Sequence, residues 1–373
     1  MSGLRKVIAV LPGDGIGPEV TRSAVQVLTD CAAVFGHHFE FREYLFGGIA
    51  IDLAGSPLPS NTLEGCLSAD TVLMGAAGGP QWDDLPLEKR PEAGLLGLRK
   101  GLGLYINLRP IRPLAALRGI VPLRPERLGH CEFEIVRELA GDIYFGKHER
   151  RGQGKAASAT DVAEYSYVEI ERVARYAFGR AQKRRGKLTS VDKANILATS
   201  TLWRETVNSL AREYPQVKVE HLYVDNAAMQ ILLKPDQFDV ILTGNMFGDI
   251  LSDEAAALTG SIGLIPSMSS GREGGPALYE PIHGSAPSLA GKDVACPLGA
   301  IFSASLMLRE SFGLHNEAAL IEAGVDRVLD RGYRTMDIAS ADARLVRCSE
   351  FTELVRGELH DAVEYSERYG WGV

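Results

Sequence analysis

Short apolar runs alternate with segments of helical periodicity through the middle of the chain. The runs predicted to be strands are KLTSV (187–191), KVEHLYV (218–224) and FDVILT (238–243). The segments predicted to be helices are one through Leu202, Val207 and Leu210, one from Asp225 that stops at Pro235, and one over 246–259 that ends at Gly260. Because strands separated by helices of this length pair in parallel, the pattern predicts an α/β fold.

The first residues also predict a strand, a glycine-rich turn and a helix. The turn LPGDGIGPE (11–19) approaches the dinucleotide fingerprint G-x-G-x-x-G, but Pro18 occupies the position of its third glycine. No other G-x-G-x-x-G occurs in the chain. The sequence therefore predicts an α/β fold without a Rossmann fingerprint.

Two aspartates, Asp249 and Asp253, lie four positions apart in the apolar stretch GNMFGDILSDEAA (244–256). On a helix this spacing places like charges one turn apart, which costs roughly a few tenths of a kcal/mol. Either both carboxylates are solvated, or a positive group such as Mg²⁺ or Mn²⁺ lies between them. Asp225, Asn245 and Asp249 follow predicted strands, at the sheet edge where α/β proteins bind ligands.

Several basic residues occupy positions suited to an acidic ligand. They are Arg99 and Arg109 in GLLGLRKGLGLYINLRPIRP (94–113), Arg137 after the predicted strand FEIV, and Lys193 directly after the strand KLTSV. Arginine forks bind carboxylates through paired hydrogen bonds, so converging arginines would suit a di- or tricarboxylate. Taken singly, each arginine also fits a surface salt bridge, and Lys193 is either a surface residue or a base.

Size and composition narrow the classes of protein further. A chain of 373 residues predicts two or three domains, and a net charge of −8 argues against nucleic-acid and membrane-surface partners. Five dispersed cysteines without a CxxC pair argue against disulfides and structural zinc. No run is long enough for a signal-peptide core or a membrane span, so we expect a cytoplasmic protein. The polar stretches 148–161 and 269–277 are predicted to be exposed loops or arms.

Ten stretches taken together carry a resemblance to a known family. They are LPGDGIGPEV, MGAAGGPQWD, PEAGLLGLRK, NLRPI, IVRELAGDIYFG, VDKANIL, YVDNAAMQI, TGNMFGDILSDEAA, LYEPIHGSAP and GYRTMDIA. Their order and number make the chain similar to the β-decarboxylating dehydrogenases, and among them to the 3-isopropylmalate dehydrogenases of leucine biosynthesis. The likeness runs from about residue 7 to about residue 338.

This resemblance implies a two-domain isopropylmalate/isocitrate dehydrogenase-like fold with mixed, largely parallel sheets. Residues 1–104 and 260–373 would form the first domain with the cofactor loop. Residues 105–259 would form the second domain, with the metal and substrate residues and the interface of a homodimer that shares its active sites between subunits.

The resemblance also assigns roles to individual residues. The substrate would bind Arg99, Arg109, Arg137, Glu92, Leu95 and Leu96, together with Asp225. Mg²⁺ or Mn²⁺ would bind Asp249, Asp253 and Asp225 of the partner subunit. Tyr144 and Lys193 of the partner subunit would be the acid–base pair. NAD would bind His283, Gly284, Ser285, Ala286, Ser288 and Cys296.

Some residues depart from the family pattern. Ser288 and Cys296 stand where NAD-using members usually have aspartate and asparagine, and Asp142 and Ala140 stand where glycine and threonine are usual. Ser288 lacks the charge that repels a 2′-phosphate, so use of NADP stays open although NAD is favoured. The changes near Tyr144 leave room for a different 3-substituted malate.

The implied reaction is the oxidative decarboxylation of (2R,3S)-3-isopropylmalate to 4-methyl-2-oxopentanoate and CO₂ with reduction of NAD. Leu95 and Leu96 would form an apolar wall that suits the isopropyl group better than a third carboxylate. The alternative within the family is a paralogue that acts on another 3-substituted malate or 2-hydroxy diacid. Two alternatives from other classes are a metal-dependent hydrolase and a non-catalytic metabolite-binding or scaffold protein.

Overall fold

The structure is a computed structural model that describes residues 3–369, and for Pro125 and residues 362–369 it describes the backbone only. The strands are β1 Arg5–Gly13, β2 His38–Glu43, β3 Thr71–Ala76, β4 Ile106–Ile111, β5 Phe133–Glu138, β6 His148–Arg151, β7 Ser158–Asp161, β8 Lys187–Asp192, β9 Lys218–Tyr223, β10 Val240–Thr243, β11 Pro266–Ser270, β12 Ala277–Pro281, β13 Tyr333–Arg334 and β14 Arg344–Leu345. The α-helices are α1 Gly17–Phe35, α2 Gly48–Ala54, α3 Ser60–Ser68, α4 Pro91–Gly101, α5 Pro125–Leu128, α6 Tyr167–Lys183, α7 Ala198–Ala211, α8 Val224–Leu233, α9 Asn245–Ala256, α10 Leu298–Phe312, α11 His315–Asp330 and α12 Cys348–Tyr369.

The chain divides into two compact units. The first unit comprises Met1–Gly103, Leu114–Val121 and Thr259–Val373, and the second comprises Leu104–Pro113 and Pro122–Leu258. The sequence analysis placed all of residues 105–259 in the second domain. The observed division differs from this chiefly because Leu114–Val121 belongs to the first unit. Leu117 of this segment is buried, and its neighbour Ala116 accepts a hydrogen bond from Arg334 of the first unit at 2.9 Å.

In the first unit the strand order is β2-β1-β3-β12-β11. Strand β1 is parallel to β2 and β3, β3 is parallel to β12, and β11 is antiparallel to β12. Helix α1 packs against α10 and α12, and α10 packs against β11 and β12. The interior is apolar, with Leu28, Leu73 and Ile301 fully buried, so burial of apolar surface holds this layer of helices to the sheet.

In the second unit the strand order is β4-β5-β10-β8-β9. Strands β5, β10, β8 and β9 run parallel, and β4 is antiparallel to β5. In this register Arg137 lies opposite Asn107 on one side and Thr243 on the other. Because β5 and β10 are parallel, Arg137 therefore lies beside the end of β10, where α9 begins.

The predicted α/β class and the parallel pairing of the middle strands are confirmed. The helix predicted over 246–259 is shorter at its end, since α9 stops at Ala256. The stretch 148–161, predicted to be an exposed loop or arm, forms the antiparallel hairpin of β6 and β7 with most of its residues exposed.

None of the five cysteines, all of which lie among the described residues, forms a disulfide, as expected from their spacing, and all five are buried. Burial raises the pKa of the Cys31, Cys66 and Cys348 thiols to about 12. Within residues 3–369, none of the helices is both long enough and apolar enough to cross a membrane.

Candidate active site

Helix α9 carries Asp249 and Asp253 on one face at the carboxyl end of β10. Gly248, one residue before Asp249, lies against Arg137, and a Cβ atom at this position would come within 2.7 Å of the Arg137 side chain. The glycine therefore allows the arginine to approach the helix closely. This contact brings a cation next to the two carboxylates.

The Asp249 carboxylate is the centre of a cluster in the second unit. Its Oδ2 accepts a hydrogen bond from the Tyr144 hydroxyl at 2.6 Å, and its Oδ1 accepts from Arg137 Nη1 and, at 3.3 Å, from Arg109 Nη2. Asp253 Oδ1 lies 3.7 Å from Arg109 Nη1. Five residues expected at the site, which come from three separate stretches of the sequence, are thus grouped together.

The two arginines of this cluster are held by neutral polar side chains. Arg109 Nε donates to Asn107 Oδ1 at 2.8 Å, and its Nη1 donates to Ser252 Oγ at 2.5 Å. Arg137 Nε donates to Asn245 Oδ1 at 2.9 Å. Both guanidinium groups belong to side chains that are less than 10% exposed, so their direction is fixed before any ligand binds.

Asn107 and Ser252 were missed as site residues in the sequence. One signal for Asn107 exists, because it lies two positions before Arg109 and therefore on the same face of β4. Ser252 lies three positions after Asp249, the spacing of neighbours on a helix.

The environment of the cluster alters two proton affinities. Partial burial raises the pKa of the Tyr144 hydroxyl, and the hydrogen bond to Asp249 raises it further. Partial burial also raises the pKa of the Asp253 carboxyl, with Arg109 opposing this rise and Asp249 adding to it. Tyr144 therefore keeps its proton at neutral pH and is a hydrogen-bond donor toward Asp249.

Lys193 and Asp225 form a separate pair in the second unit. Lys193 follows β8, its backbone N–H donates to Ser200 Oγ at 3.1 Å, and its Nζ donates to Asp225 Oδ1. This hydrogen bond is the main cause of the lowered pKa of Asp225. Among the described residues no three acidic, histidine or cysteine side chains are grouped closely enough to hold a metal ion, so Asp225 does not join Asp249 and Asp253 within one chain.

In the first unit, α4 carries the expected substrate residues Glu92, Leu95, Leu96 and Arg99. The Arg99 Nη2 atom donates to Glu280 Oε1 at 3.1 Å, while its buried Nε has no partner among the described residues. Leu95 and Leu96 are half-buried, whereas Leu98 on the same helix is fully buried. Leu95 and Leu96 therefore still offer apolar surface to a ligand. Glu92 is exposed in the first turn of the helix, and its carboxylate lies over Gly78.

The loop expected to bind the cofactor is tied to the glycine-rich turn near the start of the chain. The Ser285 carbonyl accepts a hydrogen bond from the Ile16 N–H at 2.8 Å, and a Cβ atom at Gly15 would collide with that carbonyl at 1.9 Å. Gly15 has φ +59, so only glycine fits here without strain. Asp14 fixes the same turn, because its carboxylate accepts from the backbone N–H groups of Gly48, Ile49 and Gly78 at 2.7–2.8 Å.

His283 presents an unused acceptor in this loop. Its Nδ1 lies 2.9 Å from the Gly284 carbonyl, which can only accept, so Nδ1 carries the proton and Nε2 is bare. Burial lowers the pKa of the His283 ring, and among the described residues the buried Nε2 has no partner. An N–H or O–H group of a ligand would satisfy it. Ser288 is exposed, while Cys296 is buried with a thiol pKa raised by burial.

Comparisons with known proteins identify the family of the chain. A family model described as isocitrate/isopropylmalate dehydrogenase matches residues 7–355. The chain is 52% identical over 362 residues to a 3-isopropylmalate dehydrogenase of Bacillus licheniformis, which covers 96% of each chain. It is 54% identical over 343 residues to that of Nitratidesulfovibrio vulgaris, which covers 91% of this chain and 95% of the relative.

Solved structures show the same likeness. The isocitrate dehydrogenase from Methylococcus capsulatus superimposes with a TM-score of 0.83 at 31% identity, covering 95% of this chain and 99% of the other. An apo β-decarboxylating dehydrogenase from Thermococcus kodakarensis superimposes with a TM-score of 0.76 at 36% identity, covering 97% and 98%. The chain therefore belongs to the isocitrate/isopropylmalate dehydrogenase family of decarboxylating oxidoreductases.

Proposed function

We propose that this enzyme oxidises and decarboxylates (2R,3S)-3-isopropylmalate to 4-methyl-2-oxopentanoate in leucine biosynthesis, with NAD as hydride acceptor and Mg²⁺ or Mn²⁺ as cofactor. The observation that carries the proposal is the convergence of Arg109, Arg137 and Tyr144 on Asp249, next to Asp253. Curated relatives that are more than half identical over nearly the whole chain carry the name 3-isopropylmalate dehydrogenase.

The donor set of the cluster fits a hard divalent cation. Asp249 and Asp253 offer carboxylate oxygens one helical turn apart, and Asp225 of the partner subunit would be the third ligand. Arg109 and Arg137 are pre-set forks for the carboxylates of a malate, and the unpartnered Nε of Arg99 suits a further carboxylate oxygen. Bound Mg²⁺ or Mn²⁺ supplies a Lewis acid at the C2 oxygen of the substrate, and bound NAD supplies the hydride acceptor.

The chain's own residues would manage the protons. Lys193 of the partner subunit would accept the C2 hydroxyl proton as hydride leaves C2. The bond from C3 to its carboxylate then breaks, CO₂ departs, and its electron pair stays on the carbon skeleton. Tyr144, which keeps its proton at neutral pH, would help protonate C3. In total the substrate loses one hydride, one hydroxyl proton and one CO₂, and it gains one proton at C3.

The cofactor loop suits a nicotinamide dinucleotide. His283 Nε2 is a buried acceptor without a partner among the described residues, as a ligand-binding group would be. Ser288 is exposed and can hydrogen-bond a ribose, but it has no charge to repel a 2′-phosphate. We therefore propose NAD with relaxed discrimination against NADP. Because Cys296 is buried, its contribution to the cofactor is confined to its backbone and the edge of its side chain.

We also propose that the active enzyme is a homodimer. Met229, Leu233 and Ile250 are about half exposed on α8 and α9, and these two helices pack against each other. A cluster of large exposed apolar side chains marks an interaction surface more often than single ones do. We further propose that the enzyme is cytoplasmic, because five cysteines without a disulfide among the described residues fit a reducing compartment.

The alternative is a paralogue that prefers another 3-substituted malate or 2-hydroxy diacid. The departures at Asp142 and Ala140, close to Tyr144, motivate it. We would measure kcat/KM with 3-isopropylmalate, 3-ethylmalate, malate, tartrate and isocitrate at saturating Mg²⁺ and NAD. The proposal predicts the highest value for 3-isopropylmalate, with a loss of about 10- to 200-fold for each methylene removed. A higher value for any other acid would establish the alternative.

A further inference from the structure

Asp142 adopts a backbone conformation that side chains other than glycine rarely adopt. Its φ is +67, in the left-handed region, where aspartate is among the few residues that are tolerated. Its backbone closes a short turn, because the Phe145 N–H donates to the Asp142 carbonyl at 3.2 Å. Tyr144 lies within this turn, so the conformation of Asp142 sets where the Tyr144 side chain begins.

The Asp142 carboxylate joins this turn to helix α9. Its Oδ1 accepts from the Ile143 N–H at 2.8 Å, and its Oδ2 accepts from the Met246 N–H at 3.1 Å. The N-cap of α9 is Gly244, which has no side chain to satisfy the first N–H groups of the helix. Asp142 therefore supplies, from another segment of the chain, the cap that serine or aspartate usually supplies locally.

The Asp142 turn and helix α9 each carry one side chain of a hydrogen-bonded pair. The turn holds Tyr144 and α9 holds Asp249, and the Tyr144 hydroxyl donates to Asp249 Oδ2 at 2.6 Å. The N–H of Asn245, the first residue of α9, also has a partner, because it donates to the Tyr165 hydroxyl at 2.8 Å. With the helix start held in this way, a shift of the Asp142 turn would change the Tyr144–Asp249 distance.

We propose that Asp142 is a positioning residue that sets the geometry between Tyr144 and the metal-binding face of α9. This inference rests on the proposed function, because it assigns Asp249 and Asp253 to a divalent cation. Asp142 itself contacts neither carboxylate in the described structure; it acts through the turn and through the start of the helix.

The test compares Asp142→Gly and Asp142→Asn with the unaltered enzyme. Glycine accepts the left-handed conformation but removes the cap, whereas asparagine keeps one acceptor oxygen. Mn²⁺ affinity is measured by electron paramagnetic resonance with 3-isopropylmalate present and nucleotide absent, so that no turnover occurs. Asp142→Gly should bind Mn²⁺ about tenfold more weakly, the lower end of what outer-sphere partners contribute. Its kcat should fall while its KM for NAD stays unchanged.

Asp293 provides a matched control. It also has a positive φ, of 58°, and its Oδ1 accepts from the Ser349 N–H at 2.9 Å near the start of α12. Asp293→Gly removes the same kind of cap from the first unit and should leave Mn²⁺ affinity unchanged. An equal loss of affinity in both glycine variants would overturn the proposal, as would normal Mn²⁺ affinity in Asp142→Gly.

If Asp142→Gly does not fold, Asp142→Asn tests the positioning role of Asp142 instead. Since one carboxylate oxygen is lost, Mn²⁺ affinity should fall about threefold, the value of one modest hydrogen bond. Unaltered affinity in this variant would contradict the proposal. Failure of the proposed function is distinguishable from both results, because it would appear as absent turnover of 3-isopropylmalate by the unaltered enzyme.

Discussion

A single carboxylate organises the candidate active site. Asp249 accepts hydrogen bonds from Tyr144, Arg137 and Arg109, so two cations and one neutral donor already compensate its charge. A divalent cation must therefore compete with the arginines for the same oxygen atoms. The carboxylates of a malate would resolve this competition, because Arg109 and Arg137 could bind them and leave the Asp249 oxygen atoms to a divalent cation. We expect metal and substrate to bind cooperatively.

Asp253 is the residue at which the metal assignment is tested most simply. Asp253→Asn keeps the size of the side chain but removes its charge, so the Mg²⁺ concentration for half-maximal activity should rise about 100-fold, the upper end of the range typical of outer-sphere partners. The neighbouring Glu254→Gln is the matched control, since the partly buried Glu254 lies outside the cluster. Normal Mg²⁺ activation of Asp253→Asn would remove Asp253 from the site.

The residues of the site could be predicted from the sequence, but most of the contacts between them could not. Spacing alone placed Asp249 and Asp253 on one face of a helix, whereas nothing local indicated that Arg109 and Arg137 reach the same oxygen atom. That contact depends on the pairing of β4, β5 and β10, which is not local in sequence. Asn107 and Ser252 were missed because neutral polar side chains occur throughout loops and helix starts.

The backbone around Lys193, in the loop after β8, is held in place by the neighbouring residue Asp192. Asp192 is fully buried and receives two hydrogen bonds from Arg204 of α7, at 2.8 and 2.9 Å. The same carboxylate accepts from the Ala194 N–H at 2.9 Å. The backbone on both sides of Lys193 is therefore held by a charge pair, and under the proposed function this support would position the lysine for proton transfer.

Arg204→Lys should weaken this support without leaving Asp192 unpaired. Lysine keeps the charge but loses the planar fork, so the loop gains freedom and kcat should fall about tenfold, as expected when a catalytic group is displaced by a fraction of an ångström. Arg212→Lys on the exposed end of α7 is the control. If kcat of Arg204→Lys equals that of the control, Arg204 has no part in placing Lys193.

The elements were predictable where apolar periodicity is strong. β8, β9 and β10 follow the predicted strands closely. Helix α9 ends earlier than predicted because its last hydrogen bonds change to three-residue spacing, from Ala257 to Glu254 and from Leu258 to Ala255. The hairpin of β6 and β7 could not be predicted from apolar periodicity, because neither strand contains a buried residue.

For the whole molecule, the proposal requires two subunits at each active site. Lys193 and Asp225 pair with each other in one chain, apart from the Asp249 cluster, as residues offered to a partner would. Mixed dimers of Lys193→Ala and Tyr144→Phe would contain one site with both residues intact. They should recover about half the activity of the unaltered dimer, although each parent is nearly inactive. Purified mixed dimers without activity would contradict a shared site.

The most direct measurement of the central claim is the stoichiometry of reduced nicotinamide and CO₂ formed from 3-isopropylmalate, with NAD and NADP tested separately. The account predicts one CO₂ for each reduced nicotinamide, faster turnover with NAD, and loss of both products when a chelator removes Mg²⁺. Reduced nicotinamide without CO₂, or turnover that does not depend on a divalent cation, would contradict the roles given to Asp249, Asp253 and Tyr144.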